Sequence, residues 1–414
     1  MEINRDHYLN QLISAQQNGM IKIVTGLRRS GKSYLLFKIF YEKLIADGVP
    51  QDHIIRIALD DLAYAEFKEK MSLYSYVKSQ ITDSGLYYVL LDEIQLVEGF
   101  EEVLNSFLHI PNVDVYVTGS NSRFLVKDVV TDFRGRGWEI RVYPLSFKEY
   151  YSTRNDAFMT AWTEYLTYGG LPLVASMKSH KEKSDYLFNL FSTVYLNDVI
   201  DRYKIRNKSE FEDLLNVISS SIGSLTNPVK MQNTFKTKEK STITNKTITS
   251  YIHYLEDAFL IQTSERFDIK GRKYIGANKK YYFTDSGLRN ARLNFRQIEV
   301  THIMENIIYN ELKMRGYDVD VGVVEYNSKD KNGKSLKTQL ECDFVANLGS
   351  KRIYIQSALS VSTAEKLAQE EKSLLRISDS FKKIIIQKDP VVPHYDDNGI
   401  YITSLEQFLL GEEL

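Results

Sequence analysis

The chain has 414 residues, and this length predicts about two to four domains, because one hydrophobic core seldom organises so long a chain. Its composition, with 43% hydrophobic and 26% charged residues, is typical of a globular protein and excludes a disordered or fibrous one. The net charge of −1 argues against a globally basic nucleic-acid binder, although a local basic patch remains compatible with it.

Short apolar runs alternate with amphipathic stretches from Met20 to about Tyr150. This alternation predicts an α/β domain with a parallel sheet, which we place at residues 1–150. The runs YYVLL and VDVYVT are almost entirely apolar, β-branched or aromatic, as expected of strands that helices cover on both faces.

The remaining chain predicts three further domains. Apolar residues at spacings of three and four indicate a helical connector over residues 151–208, interrupted by the cluster Gly169-Gly170-Leu171-Pro172. Three helices followed by two short strands are typical of a winged helix, which we place at residues 209–292. Residues 293–414 alternate helices and strands and predict a separate small α/β domain.

A phosphate-binding loop is the clearest functional signal. Residues 26–33 read GLRRSGKS and match G-x-x-x-x-G-K-[ST], after the apolar strand at 21–25 and before a predicted helix. Glycines let backbone N–H groups wrap phosphates at a helix N-terminus. We expect Lys32 to reach the β- and γ-phosphates of ATP and Ser33 to bind Mg²⁺. The predicted nucleotide contacts are Gly26, Arg29, Ser30, Gly31, Lys32, Ser33 and Tyr34.

Acidic and polar residues follow two later strands. Asp92 ends the strand YYVLL and is expected to supply a second Mg²⁺ contact, while Glu93 is expected to deprotonate the attacking water. The stretch Thr118-Gly119-Ser120-Asn121 ends the next strand, and Asn121 is the predicted sensor of the γ-phosphate. The alternative for this stretch is an ordinary turn.

The order of these motifs resembles a large group of prokaryotic AAA-family ATPases. The resemblance rests on GLRRSGKS, LLDEIQ, VTGSNSRFL, the Arg-Gly-Arg at 134–136 and YPLSFKEY. It implies an arginine that completes the ATP site of the same or a neighbouring subunit in a homo-oligomer. Arg136 is the first candidate and Arg134 the second, and the alternative is that both are surface arginines.

A local excess of positive charge lies in the predicted winged helix. Residues 230–280 contain eleven Lys or Arg against five Asp or Glu. Such residues fit contacts to DNA phosphates, with Asn233, Thr234, Thr247 and Thr249 near the expected recognition helix. Winged helices beside ATPase modules also act as lids or bind protein partners, so the partner class stays open between DNA and protein.

The last domain resembles the PD-(D/E)XK nuclease fold. The residues that carry this resemblance are Glu305 on a helix, Glu341-Cys342-Asp343 on one strand and Gln356-Ser357-Ala358 on the next. The nuclease pattern requires a lysine where Ala358 stands, so we expect no DNA cleavage unless another lysine, such as Lys366, replaces it.

The single cysteine, Cys342, excludes an internal disulfide and a zinc site built from several cysteines. No apolar run approaches the ~18 residues that span a bilayer, and the N-terminus lacks a secretory signal, so we expect a cytoplasmic protein without a membrane partner. The sequence as a whole predicts a Mg²⁺-dependent ATPase that acts as a switch or remodeller on nucleic acid. The alternative is a signalling or scaffolding ATPase whose C-terminal domains bind protein.

Overall fold

The computed structural model describes residues 3–119, 135–238, 243–276, 278–329 and 335–411. The chain divides into two units. The first contains residues 1–145, 171–176 and 257–260, and the second contains residues 146–170, 177–256 and 261–414. The division into four domains at the predicted boundaries stays a prediction.

A five-stranded sheet forms the first unit, and all its strand pairs are parallel, which confirms the predicted parallel α/β fold. The strand order is β2-β3-β4-β1-β5, so the strand before the glycine-rich loop lies inside the sheet. The strands are β1 (Ile21–Thr25), β2 (Ile54–Ala58), β3 (Tyr87–Asp92), β4 (Val113–Thr118) and β5 (Gly137–Arg141).

Helices cover both faces of this sheet. Alternate residues of β3 enter two hydrophobic clusters, with Val89 and Leu91 in one and Tyr88 and Leu90 in the other. Because successive side chains of a strand point to opposite faces, this division explains why the strand is apolar throughout. The α-helices in the described part of this unit are Asp6–Ser14, Lys32–Tyr34, Tyr41–Ala46, Lys70–Gln80, Phe100–Phe107 and Pro172–Ser176, with a π-helical segment at Leu35–Phe40.

A buried ion pair joins β1 to β4. Lys22 is fully buried and pairs with Asp114, and its ammonium group also donates to the Met20 carbonyl at 3.0 Å. The second Asp114 oxygen accepts from the Tyr116 hydroxyl at 2.9 Å and from the Gln17 N–H at 3.0 Å. Both charges are therefore compensated inside the unit, which a buried ion pair requires.

The second unit begins with a series of helices from the region predicted as a helical connector. Three helices, Lys208–Ser220, Pro228–Lys238 and Asn245–Asp257, then precede the antiparallel pair of β6 (Ile261–Ser264) and β9 (Lys280–Phe283). Thr226 forms an isolated antiparallel bridge with Lys279 beside this pair. The connector helices are Phe147–Tyr151, Phe158–Tyr168, His180–Asn189 and Asn197–Arg202, with a π-helical segment at Leu190–Leu196.

An eight-stranded mixed sheet completes the second unit, in the order β14-β15-β13-β12-β11-β10-β7-β8. The hairpin of β7 and β8 belongs to the region predicted as a winged helix, yet β7 pairs in parallel with β10. Cys342 is buried in β11. The strands are β7 (Arg266–Asp268), β8 (Lys273–Tyr274), β10 (Asp318–Lys329), β11 (Ser335–Leu348), β12 (Lys351–Ala358), β13 (Lys382–Gln387), β14 (His394–Tyr395) and β15 (Tyr401–Ser404).

Four further helices pack in this unit, and one of them starts at a buried carboxylate. Asp285 caps the helix Ser286–Arg292 by accepting from the Leu288 N–H at 3.0 Å, and it also accepts from the Gly170 N–H at 2.8 Å. Burial raises the pKa of Asp285 to about 6. The other three helices are Val300–Met314, Ala364–Leu374 and Leu405–Leu410.

No helix in the described parts of the chain combines the length and the apolar character needed to cross a bilayer.

The Lys22–Asp114 pair gives a stability test. Lys22→Met leaves the Asp114 charge buried without its partner, so we expect the free energy of unfolding to fall by about 3–5 kcal/mol. Urea denaturation measures the loss. The double variant Lys22→Met/Asp114→Asn removes both charges and should recover more than half of it. A double variant no more stable than the single one would contradict the pairing.

Candidate functional site

The glycine-rich loop follows β1 at the carboxyl edge of the parallel sheet. Gly26 has a φ of +129°, and a Cβ atom at this position would lie 2.0 Å from the Val142 carbonyl oxygen. A larger residue therefore cannot take the place of Gly26 without moving the backbone. Arg29 (φ +63°) and Gly31 (φ +96°) also have left-handed backbones, which curl the loop before the helix starts at Lys32.

A buried arginine, Arg5, donates a hydrogen bond to the backbone of the glycine-rich loop, and the sequence did not indicate this role. Arg5 is 4% exposed, and its guanidinium donates to the Ser30 carbonyl at 3.3 Å and to the Tyr143 carbonyl at 2.7 Å. The Tyr143 N–H in turn donates to the Tyr8 hydroxyl at 3.1 Å. Nothing in the polar N-terminal stretch distinguishes Arg5 from a surface arginine, because its partners lie far away in the sequence.

Lys32 points into the loop. Its side chain is almost fully buried, and the ammonium group donates to the Gly26 and Leu27 carbonyls, each at 3.0 Å. Burial lowers the pKa of Lys32 to about 8, and the nearby Glu93 and Asp92 carboxylates oppose this lowering. A desolvated ammonium group of this kind binds an anion strongly, because little solvent competes for it.

The acidic pair lies at the end of β3, across from the loop. Asp92 is buried, and burial raises its pKa, whereas hydrogen bonds from Thr118 and Ser33 oppose that rise. Glu93 has a left-handed backbone with φ +52°, and Gln95 donates to its carboxylate. The structure thus brings Lys32, Ser33, Asp92 and Glu93 to one edge of the sheet.

One hydroxyl orders the acidic pair. Thr118, the last residue of β4, donates to the Asp92 carboxylate and accepts from the Glu93 N–H at 3.0 Å. The sequence indicated this stretch as a polar strand end but assigned the sensing role to Asn121. Ser120, Asn121 and Arg134 lie outside the described residues.

Arg136 lies at the opposite edge of the sheet. Its carbonyl accepts from the Ile21 N–H at 2.9 Å, immediately before the parallel pairing of β1 with β5 begins. The loop leaves β1 at the far end of that pairing, about 16 Å away at ~3.3 Å per residue. The structure therefore does not bring Arg136 into the site of its own chain, and only a role in a neighbouring subunit's site stays a prediction.

The donor set fits a nucleoside triphosphate with Mg²⁺. The first turn of a helix has N–H groups without intrahelical partners, and Ser33 and Tyr34 are exposed beside them. The Ser30 hydroxyl is buried and has no hydrogen-bond partner within the described part of the chain. The Ser33 hydroxyl and the Asp92 carboxylate are hard oxygen ligands of the kind that Mg²⁺ prefers.

A glycine-rich loop on a parallel sheet, a buried lysine and a strand-end acidic pair define a P-loop ATPase domain. In agreement, residues 18–151 match a family model described as an AAA domain. Residues 159–299 match a second model, described as a domain of unknown function.

The chain belongs to the same family as an uncharacterized protein of Haemophilus influenzae. The two are 33% identical over 390 residues, which cover 93% of each chain. An uncharacterized protein of Methanocaldococcus jannaschii is 29% identical over 313 residues, covering 72% of this chain and 67% of that protein.

The solved structures that resemble this chain include the ORC1 protein of Aeropyrum pernix in complex with DNA. It has 12% sequence identity and a TM-score of 0.32, covering 70% of this chain and 92% of that one.

The Thr118 hydroxyl gives a test of how the site is ordered. Thr118→Val keeps the side-chain shape but removes both hydrogen bonds, so we expect ATP hydrolysis to fall about tenfold or more, with a higher Mg²⁺ requirement. Steady-state hydrolysis across a Mg²⁺ series measures both effects. Thr118→Ser retains the hydroxyl and is the matched control. Equal rates in the Val and Ser variants would contradict the role given to the hydroxyl.

Proposed function

We propose that this protein is a Mg²⁺-dependent AAA-type ATPase that binds and hydrolyses ATP at the loop of residues 26–33 and thereby drives a switch or remodelling step on nucleic acid. The observation that carries the proposal is the buried ammonium of Lys32, held between the loop carbonyls and the Asp92–Glu93 pair. A structural lysine would be expected to have a direct carboxylate partner, as Lys22 does.

Each residue of the site has a role in this proposal. Lys32 exchanges its carbonyl partners for β- and γ-phosphate oxygens, and the Ser33 hydroxyl and the Asp92 carboxylate hold Mg²⁺. The exposed Tyr34 flanks the nucleotide at the start of the helix. Backbone N–H groups of Gly26, Arg29, Ser30 and Gly31 complete the phosphate contacts.

Glu93 is the proposed general base. Its carboxylate accepts a proton from a water molecule as the water oxygen bonds to the γ-phosphorus and the bond to the β-phosphate oxygen breaks, giving ADP and phosphate. The Thr118 hydroxyl fixes the backbone at Glu93, and Gln95 orients the carboxylate. Asn121 keeps its proposed role as the γ-phosphate sensor, and Arg136 its proposed role in a neighbouring subunit of a homo-oligomer.

The second unit supplies the proposed nucleic-acid contact. Three helices followed by the antiparallel β6–β9 pair have the element order of a winged helix, in which one helix enters the major groove. Asn245–Asp257 is the proposed recognition helix, and Lys246 and Thr249 are exposed on it. The turn between β7 and β8 adds an exposed basic group, namely Lys270, Arg272 and Lys273.

The same surface also supports the alternative, a protein partner. Part of the positive charge in this region is neutralised internally, because Lys280 is buried among carboxylates and Lys279 pairs with Glu265 at 2.6 Å. Tyr274, on β8 beside the basic turn, is 61% exposed. An exposed aromatic ring is common in protein–protein interfaces, and it can equally stack on a nucleic-acid base.

Two variants separate nucleotide binding from hydrolysis. Lys32→Ala should weaken ATP binding, because the phosphates lose their buried cation. Glu93→Gln should bind ATP normally but hydrolyse it at least about 100-fold more slowly, because only water activation is lost. Fluorescent-nucleotide titration and phosphate release measure the two steps.

The exposed Lys38, which pairs with Glu42 one helical turn away, provides the control variant Lys38→Ala. It should match the parent protein in both assays. Turnover by Glu93→Gln at the parental rate would remove Glu93 from its role as the base.

The basic turn gives the test for DNA. Replacing Lys270, Arg272 and Lys273 by Ser should weaken duplex binding and reduce the dependence of log K on log salt by about one per lost phosphate contact. Fluorescence anisotropy across a salt series measures both quantities. Serine substitutions at Lys178, Lys351 and Lys372 remove the same charge elsewhere on the surface and serve as the control. Equal losses in the two triple variants would argue for general electrostatics and against this turn.

A further inference from the structure

The second unit contains a buried lysine surrounded by carboxylates. Lys280, on β9, is 2% exposed, and its ammonium lies 2.7 Å from Glu305 Oε1 and 2.6 Å from Glu341 Oε1. Asp343 Oδ1 is 4.0 Å away. Glu305 comes from the helix Val300–Met314, and the other two carboxylates come from β11. One cation thus connects three separate elements of the unit.

Further donors of the chain reach two of these carboxylates, Glu305 and Asp343. The Tyr282 hydroxyl donates to Glu305 Oε1 at 2.6 Å. Asp343 Oδ2 accepts from both the N–H and the hydroxyl of Ser357, at 2.8 and 2.9 Å. The Gln356 side-chain oxygen accepts from the Asp343 N–H at 3.4 Å. The residues that resemble a nuclease metal site are therefore bound to donors of the chain itself.

We propose that Lys280 is the resident cation of this acidic cluster: its ammonium group takes the place that a metal ion has in a PD-(D/E)XK nuclease and converts the cluster into an ionic clasp between β9, the helix Val300–Met314 and β11.

The Mg²⁺ that the resemblance implies does not fit these residues. Mg²⁺ requires about six oxygen ligands at roughly 2.1 Å. The ammonium group already lies between Glu305 and Glu341, and it repels a second cation at short range. In keeping with this, the described residues contain no group of three or more His, Cys, Asp or Glu side chains arranged to hold a metal.

Burial also argues against the idea that Lys280 is the catalytic lysine of the nuclease pattern, supplied from a position other than that of Ala358. A catalytic lysine must reach a phosphodiester that arrives from solvent. Lys280, Glu305 and Asp343 are all less than 10% exposed, at 2%, 6% and 8%. Charges at this depth instead need one another, because removing one of them leaves the other buried without compensation.

The Lys280 ammonium group and the surrounding carboxylates each favour the charged form of the other. Burial alone would lower the pKa of Lys280, but the Glu305, Asp343 and Glu341 carboxylates raise it above its usual value. Burial raises the pKa of Glu305 to about 7, and Lys280 opposes this rise. The lysine therefore stays charged, and loss of its charge would leave three neighbouring carboxylates to repel one another.

The test removes the Lys280 ammonium group by substitution and then measures whether the acidic cluster binds Mn²⁺. Nucleotide-free full-length protein is titrated with Mn²⁺. The electron paramagnetic resonance signal of Mn²⁺ measures binding, and the midpoint temperature of thermal unfolding measures stability. In Lys280→Met we expect a lower midpoint without metal, a Mn²⁺ site at least about tenfold tighter than any in the parent protein, and a midpoint that rises with Mn²⁺. The double variant Lys280→Met/Asp343→Asn should lose this new site.

Two results with the parent protein would overturn the proposal, whether or not Lys280→Met folds. The first is Mn²⁺ binding by the parent that disappears in Asp343→Asn. The second is Mn²⁺-dependent nicking of supercoiled DNA that disappears in Asp343→Asn, which would make Lys280 a catalytic lysine. A folded Lys280→Met with an unchanged midpoint and no new site would also overturn it.

Discussion

The parallel pairing of β1 with β4 and β5 is the constraint on which the nucleotide site depends. Parallel strands bring their carboxyl ends to the same edge, so the loop after β1, Thr118 at the end of β4 and Asp92 at the end of the neighbouring β3 meet there. The same pairing places Arg136 at the amino edge, because it precedes β5. Strand direction alone therefore decides which of the polar residues share a site and which do not.

Three buried lysines show how the surroundings of an ammonium group determine what it can do. Lys22 pairs with Asp114, and Lys280 is enclosed by three carboxylates, so both have their charge balanced by the chain. Among the residues that the structure describes, Lys32 donates to two carbonyl oxygens, and burial lowers its pKa. Burial destabilises the charged form of such a lysine, and no carboxylate in contact within the described part of the chain offsets this effect. An anion that binds beside it therefore stabilises its charge more than it would for the other two lysines.

The sequence predicted the features that depend on local patterns. The first four strands of the first sheet, the three helices before β6 and the lysine and acidic pair of the site follow from apolar periodicity and motif spacing. Arg5, Thr118 and Lys280 depend on partners that folding brings from far along the chain, and nothing in their sequence neighbourhood marks them. Strand β5 was missed because GWEIR has only a short and partly exposed apolar pattern. The β7–β8 hairpin lies within the residues predicted as a winged helix, and no local pattern indicates its pairing with β10, more than 50 residues further along the chain.

The parallel pairing of β7 with β10 limits which gene recombinations can give a folded protein. A crossover in the gene near residue 292 would separate β7 from β10, and Lys280 from Glu305, Glu341 and Asp343. One product would carry an open sheet edge and a buried, unbalanced cation, and the other would carry three unbalanced carboxylates. Recombination at this point is therefore penalised in both products, so the segments on its two sides should pass between genes together.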